Sequence, residues 1–364
     1  TLLKVPAARP DVAFLESFAS QMLARRGTWG WGGSWAGDAW HVLAWARLQS
    51  EIVYDQTIAR RGLDGYRVLV ACDCDVLSQT VARRIREFQQ RGGLVIGDEN
   101  LCPAIKPDIV LPLYKRTGRA DADKAALLER AAGLRRQLDG RYRRAVDTSN
   151  PEVIPCRRAA GASDYVFLVN DRREYGQYVG RHGIVMENGL PSKATLRLAR
   201  AGGHVYDLVR SRALPSRQEG DHLCVDVELG PCDGELLLVA PRSIEQVRVE
   251  APPELARGQR GRIVVTVADA EGKAIDAVVP IELAIRDNEG RLAEFSGYHA
   301  ASAGRLDVPL EIAPNDCCGV WQVEVRERAS GRCSTAYVRV PPPAGAAPAT
   351  RPAPTAADAV QPNG

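Results

Sequence analysis

The first hundred residues alternate short apolar runs with segments in which apolar residues recur every three or four positions. The runs predict four strands, at 11–17, 52–54, 67–71 and 94–97. The helically spaced segments predict two helices, one with Asp38 as its N-cap and one capped by Ser78. Strands joined by helices at these lengths predict a flavodoxin-like, doubly wound parallel sheet covered on both faces.

A charged helix completes this first domain. Beyond Asp98 the chain is extended and interrupted by prolines, and residues 121–139 are then rich in alanine, leucine and arginine. Four leucines are expected to dock this helix on the rest of the domain: Leu127, Leu128, Leu134 and Leu138. We therefore predict an α/β domain over residues 1–145 with a docking helix at 121–139.

From about Pro151 the hydrophobic period changes to two. Short alternating strands separated by turn residues predict an antiparallel β-sandwich over residues 151–250. A second set of strands predicts an immunoglobulin-like sandwich over 251–340, with Trp321 as its core aromatic residue. Residues 341–364 are rich in proline and alanine, have no apolar face, and are predicted to be a disordered tail. The expected fold class is multidomain α/β followed by two antiparallel β-sandwiches.

Charge and cysteine content exclude several classes of protein. The 48 basic and 45 acidic residues give a net charge of +3, which argues against a nucleic-acid-binding surface. No apolar run is long enough to span a bilayer. The nine cysteines include no CxxC pair, so neither a zinc ribbon nor a regular disulfide framework is expected.

Four segments in a fixed order carry a resemblance to a known family: EIVYD, LDGYRVLV, DVLS and RGGLVIGDE. Together they resemble the class I glutamine-amidotransferase-like domain of bacterial β-galactosidases, called the trimerisation domain. The segment EVIPCRRAAGASDYVFLVND resembles the start of the small C-terminal β-domain of the same glycosidases. The third unit resembles macroglobulin-type or immunoglobulin-like modules of secreted proteins.

The resemblance implies an upstream barrel that holds the glycosidase carboxylates, a homo-oligomer (a trimer) formed through the α/β domain, and a carbohydrate partner. It favours a periplasmic or extracellular location. The chain begins with Thr1 and leads directly into a strand, which we interpret as a cut from a longer polypeptide.

An active amidotransferase needs a cysteine at a glycine-rich turn between strand and helix, with a histidine and an acid to activate the thiol. The expected turn holds Asp98, Glu99 and Asn100 instead. Cys102 lies nearby, but Pro103 follows it and disfavours a helix there. The chain contains no His-x-Glu pair, so we predict no catalytic residue.

Two pairs of polar residues remain candidates for a ligand site. Asp98 and Glu99 end a strand and are candidates for acid–base chemistry, although hydrogen bonding to the loop backbone is the favoured interpretation. Cys72 and Cys74 flank an aspartate after the third strand, but a C-x-C spacing without further partners favours a structural role. We predict neither a metal nor a cofactor.

A glycine- and tryptophan-rich loop is the most informative feature. Trp29, Trp31 and Trp35 are candidate ligand or interface residues, because aromatic side chains presented on a loop stack on sugars or on protein partners. Packing on a neighbouring domain is an equal alternative. Trp40 and Trp45 are expected in the helix core.

Three functional hypotheses follow. The chain is a non-catalytic accessory and assembly region of a larger glycoside-hydrolase-like protein, a carbohydrate-binding or adhesive surface protein, or a thiol-dependent amidotransferase-like hydrolase. The empty catalytic turn favours the first.

Overall fold

The computed structural model describes residues 5–24, 35–179 and 184–342. The chain first forms a parallel sheet flanked by helices and then two β-sandwiches, which confirms the expected mixture of α/β and all-β units. The elements of the α/β unit are β1 Val12–Glu16, α1 Phe18–Leu23, α2 Trp35–Trp45, β2 Ser50–Tyr54, α3 Asp55–Arg61, β3 Val68–Ala71, α4 Gln79–Gln90, β4 Leu94–Gly97, β5 Ile109–Val110 and α5 Ala120–Leu138.

The five strands lie in the order β2-β1-β3-β4-β5, and every neighbouring pair is parallel. Successive side chains of a strand point to opposite faces. Val12 and Phe14 therefore pack beneath α2 and α5, whereas Ala13 and Leu15 pack beneath α3 and α4. Both faces of the sheet are buried, which explains why these strands read as continuous apolar runs rather than as alternating ones.

The helix boundaries confirm one predicted cap and correct another. Ser78 accepts a hydrogen bond from the Val81 N–H and caps α4 as expected. Asp38 is not an N-cap, because α2 already begins at Trp35 and places Asp38 inside the helix. The carboxylate is buried there and forms an ion pair with Arg116, a partner 78 residues away that local spacing does not reveal.

The docking helix corresponds to α5. Leu127, Leu134 and Leu138 are buried against the parallel sheet and α2, and Leu128 is partly buried beside them. This helix therefore covers one face of the sheet, together with α2.

The strands of the first sandwich are β6 Val146–Thr148, β7 Val153–Ala160, β8 Ser163–Asn170, β9 Arg173–Val179, β10 Ile184–Gly189, β11 Ser192–Leu198, β12 His204–Asp207, β13 Arg212–Leu214, β14 Arg217–Glu219, β15 His222–Leu229 and β16 Gly234–Ala240. Two sheets form it, with the strand orders β13-β12-β16-β8-β7 and β14-β15-β11-β6, and a separate hairpin pairs β9 with β10. Its core lies between these sheets and is built mainly from valine and leucine side chains.

The strands of the second sandwich are β17 Gln246–Glu250, β18 Arg260–Ala268, β19 Val279–Arg286, β20 Gly297–Ala301, β21 Arg305–Glu311, β22 Gly319–Glu327 and β23 Cys333–Val340. A three-stranded sheet, β17-β18-β21, packs on a four-stranded one, β20-β19-β22-β23. Trp321 is buried in the core as predicted, and its indole N–H donates to the Cys317 carbonyl at 3.0 Å. No helix in the described part of the chain is long and apolar enough to cross a membrane.

Buried polar contacts join the α/β unit to the first sandwich. Arg47 lies at the end of α2 and donates to the Thr148 side chain at 3.1 Å and to the Thr148 carbonyl at 2.9 Å. The Lys124 ammonium on α5 is buried and forms an ion pair with Glu152 at 2.7 Å. A buried charge requires such partners, so these contacts fix how the two units pack.

The two sandwiches share a continuous apolar core centred on Tyr165. Its hydroxyl donates to the Val278 carbonyl at 2.7 Å and accepts from the Val278 N–H at 2.6 Å. One side chain thereby satisfies both backbone groups of a residue in the neighbouring unit, which makes it the central polar contact of this interface.

Replacing Tyr165 by Phe should destabilise this interface by about 1–3 kcal/mol, because both Val278 backbone groups would be buried without a partner. The measurement is the midpoint of urea-induced unfolding. Tyr337→Phe is the matched control, since Tyr337 is exposed on β23. Equal midpoints for the two variants would contradict this account of the interface.

Candidate functional site

The carboxyl ends of the parallel strands meet at one edge of the sheet. The chain leaves β1 toward β2 on one side, and β3 leads to β4 on the other, so the connections diverge between β1 and β3. Ligands of open α/β sheets bind in the crevice at such a point. The loops that follow β1, β3 and β4 are therefore the candidate functional site.

Asp98 joins the loops that follow β3 and β4. Its carboxylate accepts from the Asp73 N–H at 2.7 Å and from the Asn100 N–H at 3.0 Å. The Asn100 side-chain amide in turn donates to the Asp73 carboxylate at 2.9 Å. Asp73 adopts a left-handed backbone with φ of 56°, which turns its N–H toward Asp98. The side chain of Asp98 thus organises backbone, in agreement with the favoured interpretation.

Burial controls the protonation of Asp98. The residue is only 5% exposed, and loss of hydration raises its pKa to about 6, although the two N–H donors act in the opposite direction. Glu99 is exposed and accepts from the Leu113 N–H at 2.9 Å. The two neighbouring carboxylates therefore have separate partners rather than a shared one.

A second group of polar contacts, not predicted from the sequence, lies beside β1. Ser17 donates to the Asp55 carboxylate at 3.1 Å, and the Ala19 N–H donates to the same carboxylate at 3.1 Å. The Ser20 hydroxyl donates to the Val76 carbonyl at 2.8 Å. Ser17 is the N-cap of α1, and a serine before an apolar stretch is the local signal that identifies it. Residues of this edge therefore satisfy one another.

The two thiols that follow β3, those of Cys72 and Cys74, are buried. Cys72 is buried, and desolvation raises its pKa well above the ordinary value, with the Trp35 side chain opposing that shift. Cys74 is also buried, with its sulfur 3.3 Å from the Cys72 carbonyl. The backbone N–H of Cys102 donates to the Cys74 carbonyl at 2.8 Å. The loops at 72–78 and 98–108 contain no histidine that could act as a base.

Of the three candidate tryptophans, only Trp35 belongs to the described residues; Trp29 and Trp31 lie outside them. Trp35 begins α2 and is only 7% exposed, so its ring is packed rather than presented to solvent. Trp40 packs edge-on to Phe14 with ring centroids 5.7 Å apart, which agrees with its expected place in the helix core.

Trp35 lines one wall of a groove of about 400 Å³ beside the sheet edge. Asp38 and Arg116 form an ion pair in it at 3.0 Å, and the Tyr114 hydroxyl donates to Asp123 at 2.7 Å. Lys115 is an exposed cation in the same wall. The groove can offer polar and aromatic contacts to a ligand, but the described residues contain no cluster of three or more side chains that could hold a metal ion.

No family model and no curated protein matches this chain. Among solved structures, it is similar to alpha-L-fucosidase isoenzyme 2 from Paenibacillus thiaminolyticus, at 13% identity and a TM-score of 0.45 over 65% of this chain and 49% of that one. It is also similar to a beta-galactosidase from Bacillus circulans sp. alkalophilus, at 10% identity and a TM-score of 0.40 over 66% and 42%. The chain thus spans less than half the length of these glycosidases.

The pH dependence of stability tests whether the folded protein favours the neutral form of Asp98. Its folded-state pKa of about 6 lies above the value of about 3.9 in an unfolded chain, so its contribution to stability is complete below about pH 4 and is lost as the pH rises through about 6. Asp98→Asn cannot ionise. The unfolding free energy of the wild type minus that of the variant should therefore fall by about 2–3 kcal/mol between about pH 4 and 7.

Urea titrations at several pH values measure this difference. A difference that stays constant or grows with pH would show that the fold does not favour the neutral acid.

Alkylation tests whether the buried thiols of Cys72 and Cys74 are unreactive in the folded protein. Iodoacetamide near neutral pH should modify the exposed Cys232 and Cys333 and leave Cys72 and Cys74 unmodified until the chain is denatured. Mass spectrometry of the digested protein gives the extent at each position, and the exposed cysteines serve as internal controls. Faster labelling of Cys72 than of the exposed cysteines would restore the thiol-hydrolase hypothesis.

Proposed function

We propose that this chain is a non-catalytic accessory and assembly region of a larger glycoside-hydrolase-like protein of the β-galactosidase type. Its α/β unit is of the flavodoxin-like, amidotransferase-related kind, and the catalytic carboxylates belong to an upstream domain of the same polypeptide. Carbohydrate is the substrate class of that whole protein.

One observation carries the non-catalytic part of the proposal. Two side chains in the described part of the carboxyl edge are unsuited to nucleophilic chemistry: Asp98 accepts from two backbone N–H groups, and Cys72 is a buried thiol whose pKa is raised. A nucleophile needs the opposite, namely an exposed thiol with a lowered pKa and a base in contact with it.

The contacts between units support a scaffolding role. Arg47 and Lys124 connect the α/β unit to the first sandwich through buried polar contacts, and Tyr165 connects the first sandwich to the second. A region built in this way holds its surfaces in a fixed relation, which suits a module that positions other domains or subunits.

An apolar surface on the α/β unit supports the assembly role. It consists of Phe18, Met22 and Leu23 on α1 together with Tyr54 at the end of the edge strand β2, and Leu23 is 67% exposed. A hydrogen bond connects the two elements, because Asp55, next to Tyr54, accepts from the Ala19 N–H of α1. Clustered exposed apolar side chains mark a contact surface, and we propose that a second copy of this chain covers it.

Size-exclusion chromatography with light scattering tests the assembly. The chain should have a mass above its monomer mass of 39.5 kDa, and Phe18→Asp combined with Leu23→Asp should shift it toward the monomer, because a buried carboxylate opposes the contact. Leu292→Asp is the matched control, since Leu292 is an exposed leucine of the second sandwich. A folded wild type that remains monomeric at high micromolar concentration would overturn the assembly role.

A further inference from the structure

A cluster of arginines lies where α5 meets the first sandwich. Arg135 forms two hydrogen bonds to the Asp147 carboxylate, both of 2.8 Å, and Arg47 lies 3.5 Å from the same carboxylate. Arg144 forms an ion pair with Asp139 at 2.6 Å. Two guanidinium groups therefore contact Asp147 and one contacts Asp139; Arg47 and Arg144 are buried, whereas Asp139 is exposed.

Arg144 is the least satisfied member of this cluster. Its side chain is only 7% exposed. Its Nε donates to the Ala46 carbonyl at 3.0 Å and its Nη1 to Asp139, but its Nη2 is buried and has no hydrogen-bond partner. A buried charged donor without an acceptor lowers the free energy of unfolding. The site therefore has room in its hydrogen bonding for one more acceptor.

A polar groove of about 440 Å³ opens beside this cluster. Arg197 projects from β11 on the exposed side of its sheet and lines the groove, as does His222 at the start of β15. The full lining is Arg135, Asp139, Arg144, Asp147, Arg197, Glu219 and His222.

The charges around the groove favour an anion. Three guanidinium groups and three carboxylates line the groove, and Arg47, which lies outside the lining 3.5 Å from Asp147, adds a fourth positive charge. Glu219 is held by Arg217 at 2.7 Å, and Asp221, which contacts His222 at 2.6 Å, is paired with Arg143 at 2.6 Å. The carboxyl end of α5 opposes an anion with a partial charge of about half a unit, which is less than the positive excess of the side chains. Guanidinium groups bind oxyanions in preference to other ligands, because their N–H donors match two oxygen atoms at once.

We propose that this groove binds one oxyanion group, with Arg144 and Arg197 as its main donors. A sulfate, a phosphate or the carboxylate of an acidic saccharide has the required acceptors. The exposed Arg197 makes the first contact with the ion, and contact with Nη2 of Arg144, which is buried, requires a side chain at the rim of the groove to turn aside. The site lies away from the carboxyl edge of the parallel sheet, so it is independent of the proposed assembly role.

Isothermal titration calorimetry tests the proposal. The full chain is titrated with sodium sulfate, with sodium phosphate and with a uronate- or sulfate-bearing oligosaccharide. Ionic strength is held constant with sodium chloride, because sulfate also stabilises proteins without binding at a site. We expect saturable binding of at least one of these probes at micromolar to millimolar concentration. Preference for the inorganic ions identifies a free ion as the ligand, and preference for the oligosaccharide identifies a saccharide group.

Arg197→Gln should weaken that binding by about tenfold or more, because it removes a charged contact. Arg197 is exposed, so this variant keeps the fold even if Arg144→Gln does not. Arg326→Gln, at an exposed arginine of β22, is the control and should leave the affinity unchanged. Absence of saturable binding of all three probes, or equal affinity in wild type and Arg197→Gln, would overturn the proposal.

Discussion

The buried contacts around Asp147 and Thr148 are the constraint on which the arrangement of units depends. They place β6 against the end of α2 and against α5, and so they attach the parallel sheet to the first sandwich. Arg47 supplies the central contact from a left-handed backbone conformation, with φ of 58°. Burial of its guanidinium lowers the pKa to about 10, so the group remains charged at neutral pH.

The junction and the α/β unit each carry one of the proposed binding surfaces. At the junction, one donor of Arg144 has no hydrogen-bond partner, and the groove proposed to hold an oxyanion opens beside it. The apolar residues of α1 and of the edge strand β2 are also exposed, and α1 is held in place by hydrogen bonds to the Asp55 carboxylate and to the Val76 carbonyl.

The carboxyl edge of the sheet lies where open α/β sheets bind ligands, and its described polar side chains contact one another and the loop backbone. Polar residues converge there because parallel strands end together. Asp98 and Asn100 form hydrogen bonds with Asp73 and the nearby backbone, and Cys72 is buried beside Trp35. An edge of this kind stabilises its own loops, which is why an accessory role fits the geometry better than thiol chemistry does.

Local patterns were sufficient to predict four of the five strands of the parallel sheet, the Ser78 cap, the strand-rich units and the burial of Trp321, because these depend on hydrophobic periodicity and on neighbours in the chain. Short β5 and the buried place of Asp38 were not predictable in this way. The sequence alone also identified Asp98 as a polar residue at a strand end. Only the tertiary structure determined its partners and those of Arg144, because hydrogen bonds to residues far along the chain depend on how the units pack.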